Sequence, residues 1–153
     1  MDKISLERIN KLHPKLREEA LKAYEEAVKI TPEGVHPFII QTLRTFEEQA
    51  ALYAQGRTKP GQIVTQATPG SSYHQYGLAI DFCLLIDGKQ SWTVDENWKK
   101  VANVFKKFGF SWGGEWKFKD YPHVEKTYGF NWRDLLKKYN SGDFIPGTKY
   151  VNL

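Results

Sequence analysis

Within "SSYHQYGLAIDF", residues 71–82, a histidine and an aspartate stand seven positions apart with a glycine between them. Imidazole and carboxylate are the groups that bind transition metals, and also the groups that exchange protons in hydrolysis. In a flat strand, residues at this spacing point to opposite faces, so His74 and Asp81 could not share a ligand. Gly77 removes the obstacle by letting the chain turn between a loop carrying His74 and a strand that starts at Leu78. Along that strand Leu78, Ile80 and Phe82 make one face, and Ala79, Asp81 and Cys83 the other. The acid therefore sits on a face of small residues, where something can approach it. A carboxylate in an apolar strand is costly unless it is paired or bound to a cation. The plainer alternative is a salt-bridged acid beside a surface histidine.

A catalytic zinc site takes three protein ligands and leaves the fourth position open. His13 precedes Pro14 and His36 precedes Pro37, and both are expected near the surface. His123 lies in "KDYPHVEK" (residues 119–126), flanked by Asp120 and Glu125. By strand parity Tyr121, His123 and Glu125 share a face, and a bend at Pro122 would bring Asp120 round to it. An acid three residues before a ligand histidine could take a proton from water at the metal. Glu125 is the alternative base, or an acceptor for the histidine's other N–H. Taken alone, His123 reads as a structural histidine.

The elements that must position these residues are legible in outline. Pro14 stands where a helix could begin, and Leu16, Ala20, Ala23, Tyr24, Ala27 and Val28 recur at helical spacing until "TPEG". "HPFIIQTLR" reads as a strand. Thr45 and Glu48 then form a capping box for a helix that Gly56 is placed to end, so Arg44 stands at a strand–helix junction. Residues 57–72 read as a long irregular loop, a kind that is often functional. After the His74–Asp81 strand, "DGKQS" is a hairpin turn. "VDENWKKVANVFKKFG" is an amphipathic helix stopped by Gly109, and "FSWGGEW" a glycine–aromatic corner. Asn131 caps a last helix to about Tyr139. Strands and helices alternate irregularly, which predicts a single α+β domain with a small antiparallel sheet and packed helices.

At 153 residues, 41% hydrophobic and rich in aromatics, the chain is of one-domain size and too apolar for disorder. The net charge of +4 suits an anionic partner, but there is no basic block and no nucleic-acid motif, so nucleic acid is not expected. Cys83 is the sole cysteine. It excludes an internal disulfide and a four-cysteine zinc site, and reads as a small packing residue. "MDKISLERINKL" lacks a signal-peptide apolar run, and nothing approaches a membrane span. The expectation is a monomer made in the cytoplasm, without stable membrane association.

The motifs taken together resemble the M15 metallopeptidases, which include D,D-carboxypeptidases and the L-alanyl-D-glutamate endopeptidases of phage endolysins and bacterial autolysins. The pattern S-x-H-x-x-G-x-A-x-D stands as Ser72, His74, Gly77, Ala79 and Asp81, and the acid-x-x-His element as Asp120 and His123. "LRTFEEQAALYAQGRT" matches the segment that bears the family's arginine, here Arg44. "WGGEWKFKDYPHVE" and "RINKLHPKLREEALKAY" resemble the endopeptidase branch. The resemblance spans residues 5 to about 125. It implies the fold shared by D,D-peptidases and the hedgehog signalling domain, with residues 1–140 catalytic and 141–153 an irregular tail. It implies one zinc ion held by His74, Asp81 and His123, with Asp120 as general base. Arg44 would bind a substrate carboxylate or steady the oxyanion.

The implied substrate is the stem peptide of bacterial peptidoglycan, cut at L-Ala–D-Glu in cell-wall lysis after release or delivery to the wall. A D-Ala-D-Ala carboxypeptidase or dipeptidase and a non-catalytic zinc module are the alternatives. Ser72 contacts substrate, orients His74 or shapes the turn. Trp112 and Trp116 line a groove or pack the core, and Glu115 is open to solvent or assists the site.

Overall fold

Strand β2 (Ala79–Ile86) is the axis of the molecule. A computed structural model describes all 153 residues. On one side β2 pairs with β1 (Val35–Gln41) along Asp81–Ile86. On the other, its first half pairs with β5 (His123–Glu125) and its second half with β3 (Lys89–Ser91). β4 (Ser111–Trp112) lies outside β5, and every pairing is antiparallel. Asp87 and Gly88, at φ +49° and +82°, make the tight β2–β3 turn read from "DGKQS".

Helices α2 (Arg17–Ile30) and α4 (Glu96–Lys107) supply most of the helical core. Phe82 packs against Trp98 and Phe105 of α4 at ring separations of 4.8 and 6.3 Å. Burial of one such ring contributes roughly 1.5–3 kcal/mol. Asp95 caps α4 by accepting from Trp98 N at 3.0 Å. Helix α3 (Phe46–Ala54) carries the expected capping box, with Thr45 and Glu48 bonded reciprocally at 3.0 and 3.1 Å. Helix α5 (Trp132–Asn140) starts under the Asn131 cap. The architecture is the α+β domain read from the sequence. No helix is long and apolar enough to cross a membrane.

Two local expectations need correction. A helix α1 (Lys3–Ile9) precedes the one expected at Pro14; too short to display a periodicity, it is held by Asp2 Oδ1, which accepts from Ser5 N at 2.7 Å. Residues 14–16 form a turn, and α2 begins only at Arg17. His13, expected near the surface, is buried at 2% exposure. Its Nε2–H donates to Val151 O at 2.7 Å, and its Nδ1 accepts from Lys15 N at 3.1 Å. His36 is half-buried against Asp2, its Nε2 2.7 Å from Oδ2. Cys83 is buried in the core, as read.

Burial pushes the His13 pKa below its ordinary value, with Lys15 and Arg17 adding to the effect against the Val151 carbonyl. The native state thus binds fewer protons than the unfolded chain as pH falls below about 6.5. Stability present above that pH is lost on acidification through it. His13→Gln keeps an N–H donor but cannot titrate, so between pH 7 and pH 5 its thermal midpoint falls less than that of the wild type. Parallel melting curves would refute this.

Candidate active site

Strand pairing brings the acid and the distant histidine together. In the β2–β5 ladder Asp81 lies directly opposite His123, and on its other side β2 sets Asp81 beside Gln41. His74 arrives by a different route. It sits in a 3₁₀ turn, Tyr73–Tyr76, that ends at Gly77 with φ +69°. A Cβ on Gly77 would lie 2.5 Å from His13 N, so the glycine serves both the left-handed turn and a close backbone approach. Ser72 Oγ caps the turn, accepting from His74 N at 3.2 Å.

His74, Asp81 and His123 each offer a ligand atom, and these atoms lie within 4.8 Å of one another. Both imidazoles are already oriented. His74 Nδ1–H donates to Thr42 O at 2.7 Å, and His123 Nε2–H to Glu125 Oε1 at 2.7 Å. Each histidine thereby turns its other nitrogen toward Asp81: His123 Nδ1 is 3.1 Å from Oδ1 and His74 Nε2 is 3.2 Å from Oδ2. The latter contact is misdirected for a hydrogen bond, which leaves His74 Nε2 buried without a partner. An orphaned buried nitrogen beside a carboxylate and a second imidazole is what a metal would satisfy, and the donor set suits zinc. The residues present therefore fit the ion.

The electrostatics agree with a cation-seeking site. Burial alone would favour a protonated Asp81, yet the hydrogen bond from His123 and the charges of both imidazoles hold its carboxyl well below the usual range. Burial would lower His123, but Asp81 and Glu125 overcome it and raise its pKa to about 9. Asp120 is different. Burial, with the charges of Asp81 and Glu125, raises its carboxyl above the ordinary value against the pull of the imidazoles.

A cleft of about 390 Å³ opens over these atoms, lined by Arg44, Ser72, His74, Asp81, Asp120 and His123, with Val64, Thr65 and Ala67 from the long loop. The expected polar residues thus share one cavity, apart from Trp112. Arg44 reaches it because residues 42–44 run beside the histidine turn, Arg44 N donating to His74 O at 3.0 Å. Its guanidinium is gripped by Gln41 Oε1 from Nη2 at 2.6 Å and by Gln49 Oε1 from Nη1 at 3.0 Å. Gln49 also donates to Ala67 O at 2.9 Å and accepts from Gln75 Nε2 at 3.2 Å. Gln75 Oε1 in turn accepts from Ser72 N and Gly70 N, each at 3.2 Å. The sequence reading missed this glutamine chain. One signal was available, the S-x-x-Q spacing of Ser72 and Gln75, which is that of a capping box.

Asp120 stands at the rim with Oδ2 3.9 Å from His123 Nδ1, its side chain half exposed. Trp112 faces the core instead of the cleft. Its Nε1–H donates to Tyr121 O at 2.8 Å, and Trp98 Nε1–H donates to the same carbonyl at 3.0 Å. The two indoles pin the segment that carries Asp120 and His123. Trp116 is the tryptophan beside the site, its ring 5.3 Å from that of His123. Glu115 points away, to Lys106 Nζ at 2.7 Å.

A peptidase M15 family model described as D-alanyl-D-alanine carboxypeptidase matches residues 65–126. The chain is 45% identical over 122 residues to the peptidoglycan L-alanyl-D-glutamate endopeptidase CwlK of Bacillus subtilis (strain 168), covering 72% of this chain and 70% of the relative. It is 30% identical over 114 residues to the L-alanyl-D-glutamate peptidase of Listeria phage A118, covering 73% of this chain and 36% of that longer protein. Among solved structures, the L-Ala D-Glu endopeptidase ChiX of Serratia marcescens shares the fold with a TM-score of 0.61 at 23% identity, covering 88% of this chain and 91% of the other.

Proposed function

The chain belongs to the M15 peptidase family, and on that premise we propose that it is a zinc-dependent endopeptidase of peptidoglycan, cleaving the stem peptide between L-Ala and D-Glu. The observation that carries the reading is the convergence of His74, Asp81 and His123 beneath a cleft that also holds Arg44 and Asp120. His74 Nε2, an oxygen of Asp81 and His123 Nδ1 are the atoms that would hold the ion. Zinc in such a site supplies Lewis acidity at the scissile carbonyl and makes water acidic enough to be a nucleophile near neutral pH.

The remaining steps belong to the chain's own residues. Asp120 Oδ2 accepts a proton from the attacking water and returns it to the leaving amine. Its half-exposed carboxylate, free of any side-chain hydrogen bond, suits a proton carrier. Arg44 meets a stem-peptide carboxylate or the developing oxyanion. Its guanidinium, held by Gln41 and Gln49, enters the reaction already oriented. Thr42 O and Glu125 orient the two imidazoles so that Nε2 of His74 and Nδ1 of His123 face Asp81. Ser72 shapes the turn under His74. The protein acts as a monomer on the bacterial wall once released or delivered to it, binding neither nucleic acid nor membrane stably.

The description of the matching family model favours one rival, a D-Ala-D-Ala carboxypeptidase. Mass spectrometry of fragments from digested peptidoglycan separates the two. A new N-terminal D-Glu is the expected product, abolished by a chelator; free D-Ala or its dipeptide would establish the rival.

A further inference from the structure

The catalytic segment rests on a glycine that neither touches the cleft nor bends the chain. Gly113 has an ordinary negative-φ backbone, so no left-handed turn requires it. A Cβ built there would stand 2.2 Å from Asp120 O, 2.9 Å from Asp120 Cβ and 3.0 Å from Asp120 C. The first of these is far inside van der Waals contact, and the obstacle is backbone. The same two residues are joined by a hydrogen bond, Asp120 N donating to Gly113 O at 2.9 Å. Asp120 O accepts in turn from His123 N at 3.2 Å. The indoles of Trp98 and Trp112 hold the next carbonyl, that of Tyr121. The segment is therefore clamped from Tyr121 onward and seated at Asp120 against the bare Cα of Gly113.

We propose that Gly113 is a positioning residue for Asp120, setting the reach of its carboxylate over the cleft by allowing the two backbones to touch. The inference rests on the assignment of Asp120 as the base. Any side chain at position 113 must drive the Asp120 backbone outward by on the order of 1 Å before contact becomes tolerable. A misplacement of about 1 Å can cost about 10²-fold in rate.

Gly113→Ala is the test, with Gly114→Ala as its companion. A Cβ at Gly114 would meet the Trp112 ring, at 2.3 Å, and not Asp120. Both variants strain the same corner, but only Gly113→Ala presses directly on Asp120, whereas Gly114→Ala acts through the Trp112 indole that holds Tyr121 O. The expected result is a fall in kcat of about 10²-fold for Gly113→Ala, with KM within threefold and zinc stoichiometry unchanged. Gly114→Ala, which pushes the Trp112 indole away from Tyr121 O, disturbs the His123 side of the segment as well, so its loss is not confined to kcat and persists in the Asp120→Ala background. A kcat-selective loss of the same size in Gly114→Ala would overturn the proposal.

Introduced into Asp120→Ala, Gly113→Ala should cost nothing more, because the group it misplaces is gone; a further full loss would refute the coupling. Hydrogen exchange of the metal-free protein gives a readout independent of activity. The Asp120 and His123 amides should lose protection in Gly113→Ala, and unchanged protection counts against the idea. Should Gly113→Ala fail to fold, Asp120→Glu tests the same point with Gly113 intact. One added methylene should give the same kcat-selective loss, and full activity would show that the position of the base does not matter. An active Asp120→Ala would sink the base assignment itself. An inactive Asp120→Ala beside a fully active Gly113→Ala would sink only the inference about Gly113.

Discussion

Asp120→Ala is expected to slow hydrolysis of purified peptidoglycan by about 10²–10⁴-fold, the range a positioned general acid–base group contributes, while the protein stays folded and still binds one zinc. The second half of that statement follows from where the residue stands. Asp120 is not among the three side chains whose ligand atoms converge. Its carboxylate accepts no hydrogen bond, and its closest charged partner is His123 Nδ1 at 3.9 Å. Truncation therefore leaves nothing buried and unpaired, and the cost to stability is within about 0.5 kcal/mol.

Glu125, the other acid of the segment, should behave in the opposite way. It is tied to His123 Nε2 and absent from the cleft lining. Glu125→Gln is expected to weaken metal retention by about 10–100-fold, and to recover activity when zinc is supplied in excess. Measuring kcat beside zinc content by mass spectrometry separates the two roles. Retained turnover in Asp120→Ala with irrecoverable loss in Glu125→Gln would reverse the assignment.

Removal of the proposed metal, by a chelator or by His74→Ala, is expected to bring hydrolysis to background and to show in the melting curve. A ligand bound only by the native state, present at 100-fold over its Kd, stabilises by about 2.7 kcal/mol. For a chain of this size that corresponds to about 5–10 °C in thermal midpoint. Zinc should restore the midpoint and the activity of the chelated wild type. In His74→Ala it should restore neither, because the buried Nε2 that lacks any other partner has been removed. A wild-type midpoint indifferent to chelator and to zinc would mean that the three residues form an ordinary polar cluster.

Much of this site was legible before any fold was known. Ser72, His74, Gly77, Asp81, Asp120 and His123 were each identified, and the structure gathers the polar ones around one cavity. The α3 capping box, the Asp87-Gly88 turn and the Asn131 cap were likewise read correctly. Each of those features is a bond or a backbone angle that spans at most four residues, so its cause lies inside the window that displays it. The failures share the opposite property. His13 looked like a surface residue because its partner, Val151, lies 138 positions away. Trp112 stood open between groove and core because nothing nearby in sequence tells that Tyr121 O receives its N–H. Gln49 and Gln75 read as helix and turn residues, and only their meeting gives Arg44 its grip.

The amino-acid sequence by itself determined the chemistry available: which side chains can bind a cation, which can carry a proton, and that Gly77 must turn the chain if His74 and Asp81 are to meet. Only the tertiary structure decided the encounter. Asp81 faces His123 because β2 and β5 pair in one antiparallel register, and a shift by a single residue would send His123 to the other face of the sheet. That register is selected by the burial of whole faces, Ile80 and Val124 among them, and not by any residue of the site. Local bonds can be read along the chain, whereas the energy that chooses a pairing is summed over contacts the chain makes only once it has folded.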